Sequence, residues 1–105
     1  MTLCAVIPAA GRGTRLGADR PKILVEVAPQ LSIWNVLSHN LSTVVDTFNV
    51  IVSPEGQNAF TAALHDTSLP QKVSVSLQPT PRGMGDAIFC GYDAWKNADH
   101  ILVVW

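Results

Sequence analysis

Short apolar runs alternate with longer amphipathic stretches along this chain. Leu3 to Ile7 is brief, β-branched at its end and closed by Pro8, which reads as a buried strand. Ile23 to Val27 is a second short extended segment, leading to Pro29. From Leu31 to Val45, Leu31, Trp34, Leu37, Leu41 and Val44 recur at intervals of three and four, the apolar stripe of a helix. Phe48 to Val52 predicts another strand, stopped by Ser53-Pro54. Ser53 then caps a helix through Leu64, with Phe60, Ala63 and Leu64 inward. A turn over Asp66 to Pro70 leads to Val73-Ser74-Val75-Ser76-Leu77, which alternates strictly and reads as a strand. Gly83 to Lys96 predicts a helix with Ile88, Tyr92 and Trp95 on one face, and His100 to Val104 a last strand.

Strands that alternate with helices imply right-handed crossovers and a mostly parallel sheet covered on both sides. The expected class is α/β, a three-layer αβα arrangement, with residues 1–105 forming one unit and no repeat or linker. In such sheets ligands sit beyond the carboxyl ends of the strands. The segment from Ile7 to Lys22 leaves the first strand, and Gln78-Pro79-Thr80-Pro81-Arg82-Gly83-Met84-Gly85 leaves the strand ending at Leu77. Both are expected to line one crevice.

Composition narrows the occupant of that crevice. Seven basic and eight acidic residues leave a net charge of −1, so no general field draws the chain to nucleic acid or to a membrane surface. Positive charge is local instead, because Arg12, Arg15, Arg20 and Lys22 all fall in the first loop, among Gly11, Gly13 and Gly17. Glycines let backbone N–H groups approach a ligand closely, and such groups beside cations bind anions. Phosphates of a nucleotide are the expected anion. Arg12 and Arg20 suit either phosphate contact or a solvated surface.

Other candidate chemistry is sparse. Cys4 and Cys90 read as buried free thiols, and His39, His65 and His100 have no metal-ligand spacing. Trp34, Trp95 and Trp105 suit core anchors, and Asp86 and Asp93 suit a helix N-terminal charge and a solvated face. No charged segment with a long apolar run follows Met1, and no apolar run approaches the ~18 residues of a membrane span. The expected location is cytoplasmic.

Two familiar phosphate loops are excluded by spacing. The dinucleotide fingerprint needs a glycine where Leu16 stands, and the Walker loop needs a Gly-Lys pair that the chain lacks. The string Ala9-Ala10-Gly11-Arg12-Gly13-Thr14-Arg15-Leu16, followed by Pro21-Lys22, resembles the signature of the sugar-phosphate nucleotidylyltransferases. Gln78 and the turn Gly83-Met84-Gly85 match the base-holding loop of that family. They are most similar to domains of the N-acetylglucosamine-1-phosphate uridylyltransferase type, although Met84 stands where Thr is usual.

The resemblance implies a Rossmann-like nucleotide-diphospho-sugar transferase fold and transfer of a nucleotidyl group from a nucleoside triphosphate, UTP foremost, to a sugar 1-phosphate. Arg15 and Lys22 are then the expected catalytic cations. Pro8, Ala9, Ala10, Gly11, Gly13, Thr14, Gln78, Gly83 and Met84 are the expected nucleotide-binding positions. Mg²⁺ is the implied cofactor, with its ligand expected beyond Trp105, since the family follows the last of these strands with Gly-Asp. The chain accordingly resembles the N-terminal part of a larger transferase domain, with an exposed sheet edge that would admit a homo-oligomer. Two alternatives stay open: transfer to another acceptor, a polyol phosphate or a pterin cofactor, and a catalytically inactive nucleotide-binding or assembly module.

Overall fold

Strand β1, Leu3–Pro8, is the spine of the molecule. In the computed structural model it pairs in parallel with β4, Thr47–Val52, on one side and with β6, His100–Val103, on the other. Strand β5, Lys72–Leu77, pairs in parallel with the far side of β4, giving the sheet order β5-β4-β1-β6. The structure describes residues 2–10, 22–24, 26–29, 31–65, 72–80 and 82–104, and of Lys22 the backbone alone. The expected turn at Asp66 to Pro70, and Trp105, lie outside them.

The sequence runs from β1 outward through β4 to β5 and then crosses back to β6. Right-handed crossovers must therefore put the helices before and after that reversal on opposite faces. They do. Helix α1, Ile33–Leu41, and helix α2, Gln57–His65, cover one face, where Ala5, Ile7, Phe48, Val50 and Val52 pack with Trp34 and Phe60. Helices α3, Met84–Cys90, and α4, Tyr92–Trp95, cover the other, where Cys4, Val6 and Ile51 meet Ala87 and the partly buried Ile88 and Trp95. The three-layer α/β architecture expected from the alternation of elements is thus present. β1 reads as a continuous apolar run, and β4 as one interrupted only by Asn49, because both faces are covered, whereas β5, at the edge, alternates.

Trp34 anchors the first face. It is fully buried and lies edge-on to Phe48 and Phe60, at centroid distances of 5.6 and 5.1 Å, the geometry that ring quadrupoles favour. The helix that carries it begins later and ends earlier than the periodicity suggests. Ser32 caps it: Oγ accepts from the Asn35 N–H at 3.2 Å, while the Ser32 N–H donates to Asn35 Oδ1 at 3.0 Å. This reciprocal cap fixes the first turn. Leu31 falls instead in a two-residue strand β3, Leu31–Ser32, antiparallel to β2, Glu26–Ala28, and is exposed. At the other end the chain leaves the helix after Leu41, so Val45 is buried and Val44 is exposed.

Further expectations change in detail. Lys22–Leu24 is a 3-10 turn rather than a strand, with Ile23 and Leu24 buried in the first-face core. Ser53 caps a 3-10 turn, Pro54–Gly56, which runs on into α2. The helix expected over Gly83 to Lys96 is two, broken at Gly91, and the break rotates Tyr92 outward to 48% exposure. Cys4 is buried as expected, Cys90 only partly so, and both thiols are free.

Candidate functional site

The two loops singled out from the sequence meet at the carboxyl end of β4. Beyond Pro8, the Ala9 N–H donates to Ile51 O at 2.7 Å, and from the other side the Gln78 N–H donates to Val52 O at 2.9 Å. Each loop is therefore tied to the same strand end before it departs. Pro8 has no N–H to contribute, but it is the last residue of β1, where the ladder to β6 has already ended at the Val6–Val103 pair. Ala9 is buried and Ala10 half-buried.

Gln78 is the organising side chain of the second loop. It is 5% exposed, and its Nε2 donates to Gly83 O at 3.1 Å and to Asp86 Oδ2 at 3.0 Å. Two acceptors facing one end of a carboxamide identify that end as the nitrogen, since the oxygen there would meet two other oxygens. Gly83 makes the arrangement possible. Its φ of 92° and ψ of 175° lie in a region open essentially to glycine alone. This conformation lets one carbonyl accept both from Gln78 and from the Ala87 N–H, at 3.2 Å, the first backbone bond of α3. Met84 opens that helix and is 40% exposed.

Asp86 sits in the first turn of α3, where a carboxylate is favoured by the helix dipole. With Pro79, Thr80, Arg82 and Cys90 it lines a cleft of about 250 Å³ between the loop and the helix. That is smaller than the ~300–1,000 Å³ of drug-sized pockets and suits part of a ligand. The Cys90 Sγ lies 3.8 Å from Asp86 Oδ2. Burial, then the Asp86 charge and this contact, push the thiol above its ordinary range, which disfavours the reactive thiolate.

Of the expected site residues, the structure thus brings together Pro8, Ala9 and Ala10 at one strand end and Gln78, Gly83 and Met84 at the neighbouring one. Arg15, Gly11, Gly13 and Thr14, with Arg12, Gly17, Arg20 and Pro21, lie outside the described residues. The backbone of Lys22 begins the 3-10 turn whose Ile23 and Leu24 are set in the core, which anchors its Cα. Asp86 is the participant that sequence reasoning assigned only to a helix terminus. No spacing rule links a Gln to an Asp eight positions on across a proline-rich turn. Among the described residues no group of three or more His, Cys, Asp or Glu could hold a metal ion, and no helix is long and apolar enough to cross a membrane.

Residues 3–104 match the family model described as IspD, 2-C-methyl-D-erythritol 4-phosphate cytidylyltransferase. A bifunctional protein GlmU from Sorangium cellulosum is 38% identical over 105 residues, 95% of this chain but 22% of that protein. A 2-C-methyl-D-erythritol 4-phosphate cytidylyltransferase from Corynebacterium diphtheriae is 34% identical over 102 residues, 95% of this chain and 42% of the relative. The chain therefore spans less than half the length of these curated relatives. A solved UDP-glucose pyrophosphorylase from Acinetobacter baumanii superposes on 98% of this chain and 45% of its own, with a TM-score of 0.73 at 20% identity, a likeness of fold.

Proposed function

The chain belongs to the 2-C-methyl-D-erythritol 4-phosphate cytidylyltransferase (IspD) family of nucleotidyltransferases, and on that premise we propose that it is the nucleotide-binding part of an enzyme transferring a nucleotidyl group from a nucleoside triphosphate to a phosphate monoester. The observation that carries this reading is the Gln78–Gly83–Asp86 hydrogen-bond arrangement at the carboxyl edge of a parallel sheet, with Asp86 also lining the adjoining cleft. The acceptor is a sugar 1-phosphate, on the strength of the Gly13-Thr14-Arg15 string and the Gln78 loop.

The chemistry asks little of acid–base groups. An acceptor phosphate has a second pKa of about 6, so its oxygen is already an anion at neutral pH. That oxygen bonds to the α-phosphorus as the bond from α-phosphorus to the bridging oxygen breaks, and pyrophosphate departs with the electron pair. Catalysis then consists of bringing two anions into line and neutralising their charge. Glycines and cations serve that need, where His or a Ser triad would not. Arg15 pairs with the triphosphate and the departing pyrophosphate, and Lys22 bridges the α-phosphate and the acceptor phosphate. Backbone groups of Pro8, Ala9, Ala10, Gly11, Gly13 and Thr14 cradle the nucleotide, while Gln78, Gly83 and Met84 face the base. The Mg²⁺ implied by the family would supply charge neutralisation at the phosphates; among the described residues no group of three or more His, Cys, Asp or Glu could hold it.

A second reading, cytidylyl transfer to 2-C-methyl-D-erythritol 4-phosphate, is favoured by the family model itself. The test is calorimetric titration of UTP, CTP, GTP, ATP and dTTP, beside the Arg15→Ala, Lys22→Ala double variant, followed by pyrophosphate release with each acceptor. Saturable binding of one nucleotide, lost in the double variant, is the expected result. Turnover with a sugar 1-phosphate supports the first acceptor, and turnover with the erythritol phosphate replaces it by the second. If no nucleotide binds, the proposal fails.

A further inference from the structure

Gln78 differs from an ordinary base-reading carboxamide in that one end of it is already committed. A carboxamide free to rotate about its last bond can present either a donor or an acceptor to a ligand. UTP and CTP interchange these functions at the ring nitrogen N3 and at the C4 substituent, so a rotating carboxamide fits both. Discrimination requires a second group to hold the orientation. In this chain the Gly83 carbonyl and the Asp86 carboxylate both face Nε2, at 3.1 and 3.0 Å. Turning the carboxamide over would place its oxygen against a carbonyl and a negative charge together.

From this geometry we infer that Asp86 is a positioning residue that locks Gln78 as a hydrogen-bond acceptor and thereby sets the choice between the two pyrimidine nucleotides. The inference rests on the nucleotide-binding reading of the Gln78 loop. Asp86 does not touch the base. It acts through Gln78, from the first turn of α3, with its Oδ2 shared between the carboxamide and the Cys90 thiol. Charge-assisted bonds of this kind are stronger than neutral ones. Loss of the carboxylate leaves the Gly83 carbonyl alone to oppose rotation, and Oε1 no longer faces the base as a fixed acceptor. With Gln78 fixed as an acceptor opposite the ring nitrogen, the wild-type chain favours uracil, whose N3–H donates, over cytosine, whose N3 only accepts.

The test is the ratio of the CTP dissociation constant to that of UTP, measured by calorimetry for the wild-type chain, Asp86→Ala, Asp86→Asn, Gln78→Ala and the Gln78→Ala, Asp86→Ala pair. Asp86→Ala should lower the ratio about tenfold towards unity, the scale of one misplaced polar partner. Asp86→Asn, whose amide oxygen still accepts from Nε2, should restore most of it. In the Gln78→Ala background, loss of Asp86 should change the ratio no further. A merely structural role would weaken both nucleotides alike and leave the ratio unmoved. The inference is overturned if Asp86→Ala keeps the wild-type ratio while Gln78→Ala abolishes it, or if the two effects add. If Gln78→Ala itself leaves the ratio intact, the base-binding reading of the loop falls instead.

Discussion

Replacing Gly91 by Ala tests what holds the second helical layer in place. Gly91 separates α3 from α4 with φ −97° and ψ 11°, angles open to other residues, so backbone strain is not at issue. Space is. A methyl group added there would lie 1.9 Å from Asn49 Oδ1 and 2.9 Å from its Cγ. Asn49 cannot readily turn aside, because it is fully buried in β4 and its Nδ2 donates to Ser76 Oγ at 3.0 Å and to Ser74 O at 3.3 Å. Swinging the carboxamide away breaks two hydrogen bonds, each contributing about 1 kcal/mol net, and strands a buried donor at a cost of about 1–3 kcal/mol. Lifting the helix junction instead uncovers Ala87 and Ile88. Against this, Ala narrows the unfolded ensemble relative to Gly by about 0.4–1 kcal/mol. The net expectation is a loss of about 2–4 kcal/mol in urea unfolding, with the slope unchanged. Asn49→Ala should relieve the clash, so that Gly91→Ala costs under about 1 kcal/mol in that background. A Gly91→Ala variant within about 0.5 kcal/mol of wild type, or one equally damaged with and without Asn49, would refute this account.

Gly83 poses the complementary case. A Cβ there meets nothing within 4 Å, yet φ 92° with ψ 175° is strained for any other residue. Gly83→Ala should cost about 1–3 kcal/mol and, by moving the carbonyl that holds Gln78, weaken nucleotide binding measured calorimetrically. For Cys90, burial first and the Asp86 charge and contact next raise the thiol above its usual range. Its folded form therefore binds the proton more tightly than the unfolded chain does, and the stability this lends is present at neutral pH and lost as pH rises through the folded value. Alkylation by iodoacetamide at pH 8 should accordingly run slower in the folded than in the unfolded chain, and Asp86→Ala should speed it; an unchanged rate would contradict the assigned cause.

How far the sequence is legible depends on which force sets each feature. β1 and β4 stand out because burial on both faces favours near-continuous apolar runs, and Leu3 to Ile7 and Phe48 to Val52, broken only by Asn49, supply them. Gln78 and Gly83 stand out in the sequence through the resemblance of their loop to a family signature, and the bond between them spans only five positions. Features set by pairing between distant residues do not stand out. Ile88, Tyr92 and Trp95 keep helical spacing across Gly91, so periodicity alone carries the helix through. The break follows from Asn49, forty-two positions earlier, occupying the space a side chain at 91 would need. Trp95 then turns back to donate from Nε1 to Ile88 O at 2.9 Å, while Phe89 is left 67% exposed. The start of α1 is missed for a different reason. Asn35 completes the cap of Ser32 where a Glu or Gln would be the recognised signal.

The two helical layers are held by different means, and this bears on the site. On the α1/α2 face, Trp34, Phe48 and Phe60 interlock, and large rigid side chains there fix the layer by volume. The opposite face of β4 and β5 presents Asn49, Ser74 and Ser76, and the buried residues beneath α3 are small or medium, Cys4, Val6, Ile51 and Ala87, with the partly buried Trp95 packed against them. Close approach of Gly91 to Asn49 fixes the distance of the helix junction from the sheet, and α3 is short, so the height at its carboxyl end also sets Asp86 in its first turn. The orientation of Gln78 then depends on a contact made on the far side of the helix. If so, Gly91→Ala should disturb nucleotide discrimination as well as stability, whereas a mutation of equal thermodynamic cost on the other face, such as Phe60→Leu, should lower stability and leave the UTP-to-CTP ratio near its wild-type value. Equal loss of discrimination in both variants would mean that α3 is positioned by the stability of the whole sheet, and not by the glycine.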